Sequence, residues 1–138
     1  MSDDAANSAD SGKDSGTGGG TAAGSAVPDA EDRKIITLAR SARARNGVPE
    51  GAAVRDETGR TYVAGTVALD SLKLSALRTA VAMAVASGAE SLEAAAVVSA
   101  AGDVSDEDRA AVRDLGGPGT PVLLAGPDGA LRTTVTAG

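Results

Sequence analysis

The sequence predicts an α/β domain in which helices cover the faces of a β-sheet. Helix-period and strand-period apolar patterns alternate along the chain. Glycine-containing turn signals separate them. The apolar residues make up 42% of the chain and are almost all Ala, Val, Leu and Ile, with Tyr62 the single aromatic. Branched aliphatics and alanine can fill a dense core without aromatic rings. The 138 residues suffice for one domain and are too few for two well-cored ones.

Residues 1–28 are mostly Ser, Gly, Asp, Ala and Thr, with Gly18, Gly19 and Gly20 in a row. Such a segment cannot bury enough surface to offset its ordering entropy, so it reads as a disordered, acidic Gly/Ser-rich tail. Its glycine run is no phosphate loop, because no strand precedes it and no Gly-Lys-Ser/Thr follows. The folded domain is expected over 29–138. Asp29 caps a helix whose first turn holds Glu31 and Asp32, favourable at the positive helix end. Ile35, Leu38, Ala39 and Ala42 share one face, Arg40, Arg43 and Arg45 form a solvated face, and Asn46-Gly47 closes the helix. Residues 51–55 and 61–64 flank a Gly-containing turn and predict a β-hairpin. Ser75 to Ala86 is an Ala-rich helix, apolar nearly all round and ended by Gly88. Leu92 to Val98 is a strand, and Asp106 to Leu115 is an amphipathic helix. Gly116, Gly117 and Gly119 form a turn. Pro121 to Leu124 and Leu131 to Val135 are strands on either side of the Pro127-Asp128-Gly129 turn.

Composition narrows the function. With 13 basic and 19 acidic residues the net charge is −6, and no Lys/Arg run is present, so nucleic acid is not an expected partner. One aromatic residue offers no platform for stacking bases. The chain has no cysteine and no histidine, which removes a disulfide framework, the two commonest zinc ligands and the usual near-neutral general base. No apolar run reaches the length of a bilayer span, and no basic start leads into an apolar stretch. A cytoplasmic protein with no membrane partner is therefore expected, and the Ala/Gly/Arg richness resembles that of GC-rich bacterial genes.

Several local strings carry a resemblance. Val48-Pro49-Glu50-Gly51-Ala52-Ala53-Val54 is similar to the Phe-Pro-Val-Gly-Ala-Ala stretch of the small cytidine deaminases. Gly65-Thr66-Val67-Ala68 stands where that family reads Gly-x-Asn-Val-Glu. Ser75-Ala76-Leu77-Arg78-Thr79-Ala80 matches Cys-Ala-Glu-Arg-Thr-Ala, and Ala84-Val85-Ala86-Ser87-Gly88 follows as in the family. The second motif, Pro-Cys-Gly-x-Cys-Arg-Gln, falls on Val104-Ser105-Asp106-Glu107-Asp108-Arg109-Ala110. Residues 117–124 resemble the fourth strand, so the resemblance runs over about 29 to 135. It implies a three-layer α/β/α cytidine-deaminase-like fold with a mixed sheet of about five strands, and a homo-oligomer, dimer or tetramer, with sites at the subunit junctions.

The departures concern chemistry. The family mechanism uses three zinc ligands, a zinc-bound hydroxide and a proton-shuttling glutamate. The ligand positions here hold Ser75, Ser105 and Asp108, and the glutamate position holds Leu77. Neutral hydroxyls are poor zinc ligands beside thiolate or imidazole. The resemblance therefore implies a degenerate member with no zinc, no cofactor and no catalytic residue. It also puts Val48 at the base-stacking position and Thr66 and Ala68 at the polar substrate contacts, so binding of a nucleoside is doubtful. The rival expectation is an enzyme, either a cytidine deaminase or another hydrolase using an unrecognised site. Ser105 reads as a helix cap with Asp108 reaching back to it as in a capping box. Ser75 reads as a second cap, because no histidine is present to activate it; Lys73, two residues away, is a poorly placed base. The acids of 103–108 lack the spacing and central glycine of a calcium loop. The expected role is binding or assembly.

Overall fold

The computed structural model describes residues 29–138, so the tail expected over 1–28 lies outside the described residues. Asp29 caps the first helix, α1 (Ala30–Asn46), accepting the Asp32 amide at 2.8 Å. Gly47 ends it at φ 64°, a left-handed conformation that glycine adopts without a Cβ penalty, and its amide bonds the Arg43 and Ala44 carbonyls. The hairpin follows as β1 (Glu50–Asp56) and β2 (Thr61–Gly65). Next come a two-residue pair, β3 (Val67–Ala68) with β4 (Lys73–Leu74), and α2 (Ala76–Ala86). The chain then runs through β5 (Leu92–Ser99), α3 (Asp106–Gly116), β6 (Pro121–Ala125) and β7 (Leu131–Thr136).

The main sheet has five strands in the order β2-β1-β5-β6-β7. Only β5 and β6 are parallel, joined through α3 as a parallel pair requires; the other neighbours are antiparallel. The expected mixed sheet of about five strands is therefore observed. Strand periodicity divides β5 between two cores. Ala94, Ala96 and Val98 pack with Ile35, Ile36 and Ala39 of α1. Ala95 and Val97 pack on the other face with Leu77, Ala80 and Ala84 of α2 and Val112 of α3. Burial on both faces explains why β5 reads as an apolar run from Ala94 to Val98. Small side chains permit close layers: a Cβ at Gly51 would collide with the Ala39 carbonyl, so α1 rests directly on the β1 backbone.

Two expectations about α1 are adjusted, and two features are added. Leu38 packs at the edge of the core, partly buried, and Ile36 lies fully within it. The solvated arginines of α1 are partly engaged: Arg40 Nε donates to the Pro127 carbonyl and Arg43 Nε to that of Pro49. The β3–β4 pair, too short to leave a period in the sequence, closes through reciprocal Leu69–Leu72 backbone bonds. In α2 the core face is buried, while Ala82, Met83, Val85 and Ala86 are exposed, so this chain covers one side of the apolar helix.

The first hairpin is built around a carboxylate. Asp56 is buried, and its Oδ1 accepts the Thr58 hydroxyl at 2.6 Å, the Thr58 amide at 2.9 Å and the Arg60 amide at 3.0 Å. Its Oδ2 accepts the hydroxyl of Tyr62, the lone aromatic, at 3.0 Å. The Thr58 hydroxyl foremost, with both amides and Tyr62, lowers the Asp56 carboxyl to about 2 against the opposing effect of burial. A carboxyl held below its unfolded value stabilises the fold above that value and loses its contribution as pH falls through the folded one. Acid unfolding of the wild type should thus include a loss of stability between 3.8 and about 2. Asp56→Asn should lower the thermal midpoint at neutral pH and remove that part of the acid limb, as read by circular dichroism melts across the acidic range.

Candidate functional site

The positions singled out in the sequence meet where three elements begin and one ends. The N-termini of α2 and α3 adjoin the end of β5 and the start of β1. Ser75 is extended, at φ −64° and ψ 161°, and its Oγ accepts the Arg78 amide at 3.1 Å, so it is the α2 cap. Ser105 caps α3 in the same way, accepting the Asp108 amide at 3.1 Å. Both capping expectations hold. The capping-box expectation for Asp108 does not. Its carboxylate crosses to the other helix, where Oδ1 accepts the Ser75 hydroxyl at 2.6 Å. Only 5% of Asp108 is exposed, and this short, charge-assisted bond joins two helix starts 33 residues apart in sequence.

Leu77 lies one residue inside α2 and is wholly buried in the core between the helices and the sheet. It presents no polar atom to the site. Lys73 sits on β4 with its side chain exposed, and among the described residues no hydrogen bond joins it to Ser75. The positions expected to contact substrate are dispersed. Val48 is partly buried before β1. Ala68 is exposed on β3. Thr66 is occupied locally: its hydroxyl accepts the Glu50 amide at 3.1 Å and its amide donates to the Glu50 carbonyl at 3.2 Å.

The sequence reading missed Glu50. This half-buried residue accepts hydrogen bonds from the Ser99 hydroxyl at the end of β5 and from the Ala76 amide at the start of α2. Burial first, and then the charge of Asp108, push its carboxyl above 4.5, while the two hydrogen bonds pull it back. The signal was present: an acid interrupts an otherwise apolar string before Gly51. Ser99, 4% exposed, was hidden at the end of an apolar strand. Arg132 of β7 completes the surroundings, donating to the carbonyls of Ser99, Ala100 and Ala101, with the last at 3.0 Å.

The site is thus two capped helix N-termini facing two carboxyl groups and three serine hydroxyls. Helix N-termini carry partial positive charge and unpaired amides, so acids are favoured beside them. Among the described residues no group of three or more His, Cys, Asp or Glu is placed to hold a metal ion. No helix among them is long and apolar enough to cross a membrane.

The comparisons agree with this architecture. A cytidine deaminase from Burkholderia pseudomallei superimposes with a TM-score of 0.67 at 27% identity, over 76% of this chain and 91% of that one. The enzyme from Mycobacterium leprae gives 0.63 at 22% identity, over 79% and 95%, and that from Mycobacterium tuberculosis gives 0.58 at 24%, over 75% and 90%. At those last two identities the likeness concerns the fold. No curated protein matches the chain. The family model described as "Cytidine deaminase-like" matches residues 28–129, and the chain belongs to that family.

Proposed function

We propose that this chain is a non-catalytic cytidine-deaminase-like protein that acts by binding or assembly. The observation that carries the reading is the commitment of Ser75 and Asp108 to each other. The Ser75 oxygen accepts from the α2 backbone and donates to Asp108, and the Ser105 oxygen accepts from the α3 backbone. Two neutral hydroxyls and one carboxylate, all engaged, are a poor donor set for zinc, which takes thiolate, imidazole or carboxylate in a tetrahedron. The chain contains no cysteine or histidine to complete one. Leu77 has no proton to give or take, and general acid–base help is worth on the order of 10²–10⁴ in rate. Thr66, bound to the Glu50 backbone, and Val48 and Ala68, which carry no polar side-chain group, give weak support to nucleoside recognition.

A second reading, a deaminase or other hydrolase with a different site, has one observation in its favour: a serine hydroxyl donating to a buried carboxylate. That same oxygen is a helix cap, and no histidine relays its proton.

Purified protein should hold no stoichiometric zinc after dialysis and should not deaminate cytidine or deoxycytidine. Elemental analysis and a spectrophotometric assay read the two parts. One tightly held zinc per chain, or turnover lost in Ser75→Ala, refutes the reading.

The placement of the two motifs has its own check. Ser75→Cys, Leu77→Glu, Ser105→Cys and Asp108→Cys together should create a zinc site, since clustered thiolates favour that ion. Activity need not return. A folded quadruple variant that binds no zinc counts against the placement.

Assembly is proposed through α2. Met83 is 40% and Val85 54% exposed, and Ala82 and Ala86 are open beside them. Small side chains there allow a second copy to approach closely, and an apolar helix is normally covered on more than one side. Light scattering coupled to size exclusion should give a dimer or tetramer mass, and Ala82→Glu or Val85→Glu should reduce it with the circular dichroism unchanged. A monomer that persists at high micromolar concentration overturns the assembly.

A further inference from the structure

The face of the sheet opposite α2 and α3 is only partly covered. α1 lies chiefly over β1, β2 and β5. β7 is the last strand of the sheet, and among the described residues no strand pairs with its outer edge. Between α1 and the start of β7 runs a groove of about 240 Å³, lined by Arg33, Ile36, Thr37, Gly129 and Leu131. We propose that this groove and the β7 edge bind an extended segment of a partner protein whose residues on one face are acidic, aliphatic and acidic. The segment adds a strand to β7, places its aliphatic side chain in the groove and sets its acids beside Arg33 and Arg40.

The edge supplies backbone groups. The Ala137 amide donates to the Thr120 carbonyl, so by antiparallel alternation Val135 and Thr133 also face β6, while Thr134 and Thr136 face outward. The Thr136 carbonyl accepts Arg109 Nε at 3.2 Å, which agrees with that alternation and closes the far end. Thr134 keeps an outward amide and carbonyl on the side of the groove. Open edges are usually guarded by a charge or a proline. Here β7 has no proline, and its one charge, Arg132, is spent on the carbonyls of 99–101. Thr134 pairs with Leu123 and Leu131 with Ala125, both in the core on the α1 side, so these two side chains share the groove's face. In strand addition the backbone bonds give affinity, and pockets for alternate side chains give selectivity.

The groove supplies that selectivity. Ile36 and Leu131 offer an apolar surface that suits a branched aliphatic side chain. The rim is positive. From 33 to 46, α1 carries Arg33, Lys34, Arg40, Arg43 and Arg45 and no acid, in a chain of net charge −6. Arg33, Thr37 and Arg40 share one face by helical spacing. Arg40 Nε donates to the Pro127 carbonyl at 3.2 Å, and a Cβ on Gly129 would meet Arg40 Cδ at 3.2 Å. That bond uses Nε alone and fixes the remaining guanidinium donors beside the groove. Asp128, in the same turn as Gly129, spends its carboxylate on the Ala130 amide at 2.9 Å. The charge therefore selects an acidic partner, and the open strand edge selects an extended peptide. A nucleic acid meets the charge but brings neither an aliphatic side chain nor a strand.

This surface lies across the sheet from the motif positions, so the inference goes beyond the non-catalytic reading and stands whether or not those positions hold metal. The full-length chain is titrated into a fluorescein-labelled peptide, Ser-Glu-Ser-Val-Ser-Glu-Ser, and binding is read by anisotropy. Saturable binding is expected, weakened by added salt. Arg40→Gln should weaken it about 3-fold or more. Exchanging the peptide's Glu for Gln, or its Val for Ser, should weaken it by at least as much. Thr134→Pro removes the outward amide, leaves the β6 ladder in place and should weaken binding about 5-fold. Arg40→Gln and the altered peptides keep the test decisive if Thr134→Pro fails to fold. No saturation at millimolar peptide, equal binding of the Gln peptide, or equal binding by folded Thr134→Pro overturns the proposal. So does tighter binding of a single-stranded oligonucleotide of equal length, which makes the face a general polyanion surface. A light-scattering mass that falls in Thr134→Pro gives the edge to a second copy and likewise overturns it.

Discussion

Two helix N-termini that point at one spot are the constraint around which this structure is arranged. Each presents unpaired amides and a partial positive charge, and α2 and α3 present theirs to the same volume at the end of β5. Something negative or electron-rich must answer them. Here the answer comes entirely from oxygen: two serine caps, the Asp108 carboxylate bonded to one of them, and the Glu50 carboxyl on the Ala76 amide. The arrangement does more than neutralise. Asp108 is an α3 residue holding the α2 cap, and Glu50 is a β1 residue holding α2 and β5. The polar contacts therefore run between layers, where the apolar contacts of an alanine-rich core are least specific.

That core is the second constraint. Alanine and valine fill most of both faces of β5, and the sheet and helices approach until backbone meets backbone at Gly51 and Ala39. Small side chains bury little area each, about 0.8 kcal/mol per CH₂, so position must be fixed by other means. Capping, the Asp56 turn and the ion pairs of Arg55 supply it. Arg55 bridges Glu93 at 2.9 Å and Asp32 at 3.4 Å, tying β1 to β5 and α1, although partly exposed pairs of this kind contribute only about 0–1 kcal/mol. Asp56 acts differently, because four donors around one buried carboxylate leave no alternative geometry for the hairpin.

Most of the fold was legible because its elements are long and regular. Asp29, Ser75 and Ser105 mark helix starts by side-chain chemistry, and β5 marks itself by an apolar run bounded by polar residues. The β3–β4 pair was not legible, since two residues carry no period. Ile36 joins the core beside a partly buried Leu38 because the helix face is fixed by packing on β1 and β5, which local spacing does not contain. The site divides in the same way. Ser75, Leu77, Ser105 and Asp108 were found through the motifs that resemble the family's. Their actual bonding was not, because a contact across 33 residues leaves no local trace. Glu50 left a trace, an acid in an apolar string, but its meaning depends on Asp108 being opposite.

Leu77 shows what an apolar side chain contributes at this place in the fold. At the position the resemblance assigns to a proton-carrying glutamate, a leucine lies with none of its surface exposed, among Ala80, Val97 and Val112. Full burial of such a side chain stabilises by about 1.5–3 kcal/mol. An ionised glutamate buried in the same apolar contacts would be costly unless paired or neutralised. Functional sites are where sequences depart from what stability alone would choose. Here the departure is absent at Leu77, and each serine does what a helix cap ordinarily does. The carboxyl that burial pushes up there is that of Glu50, with the charge of Asp108 adding to the effect.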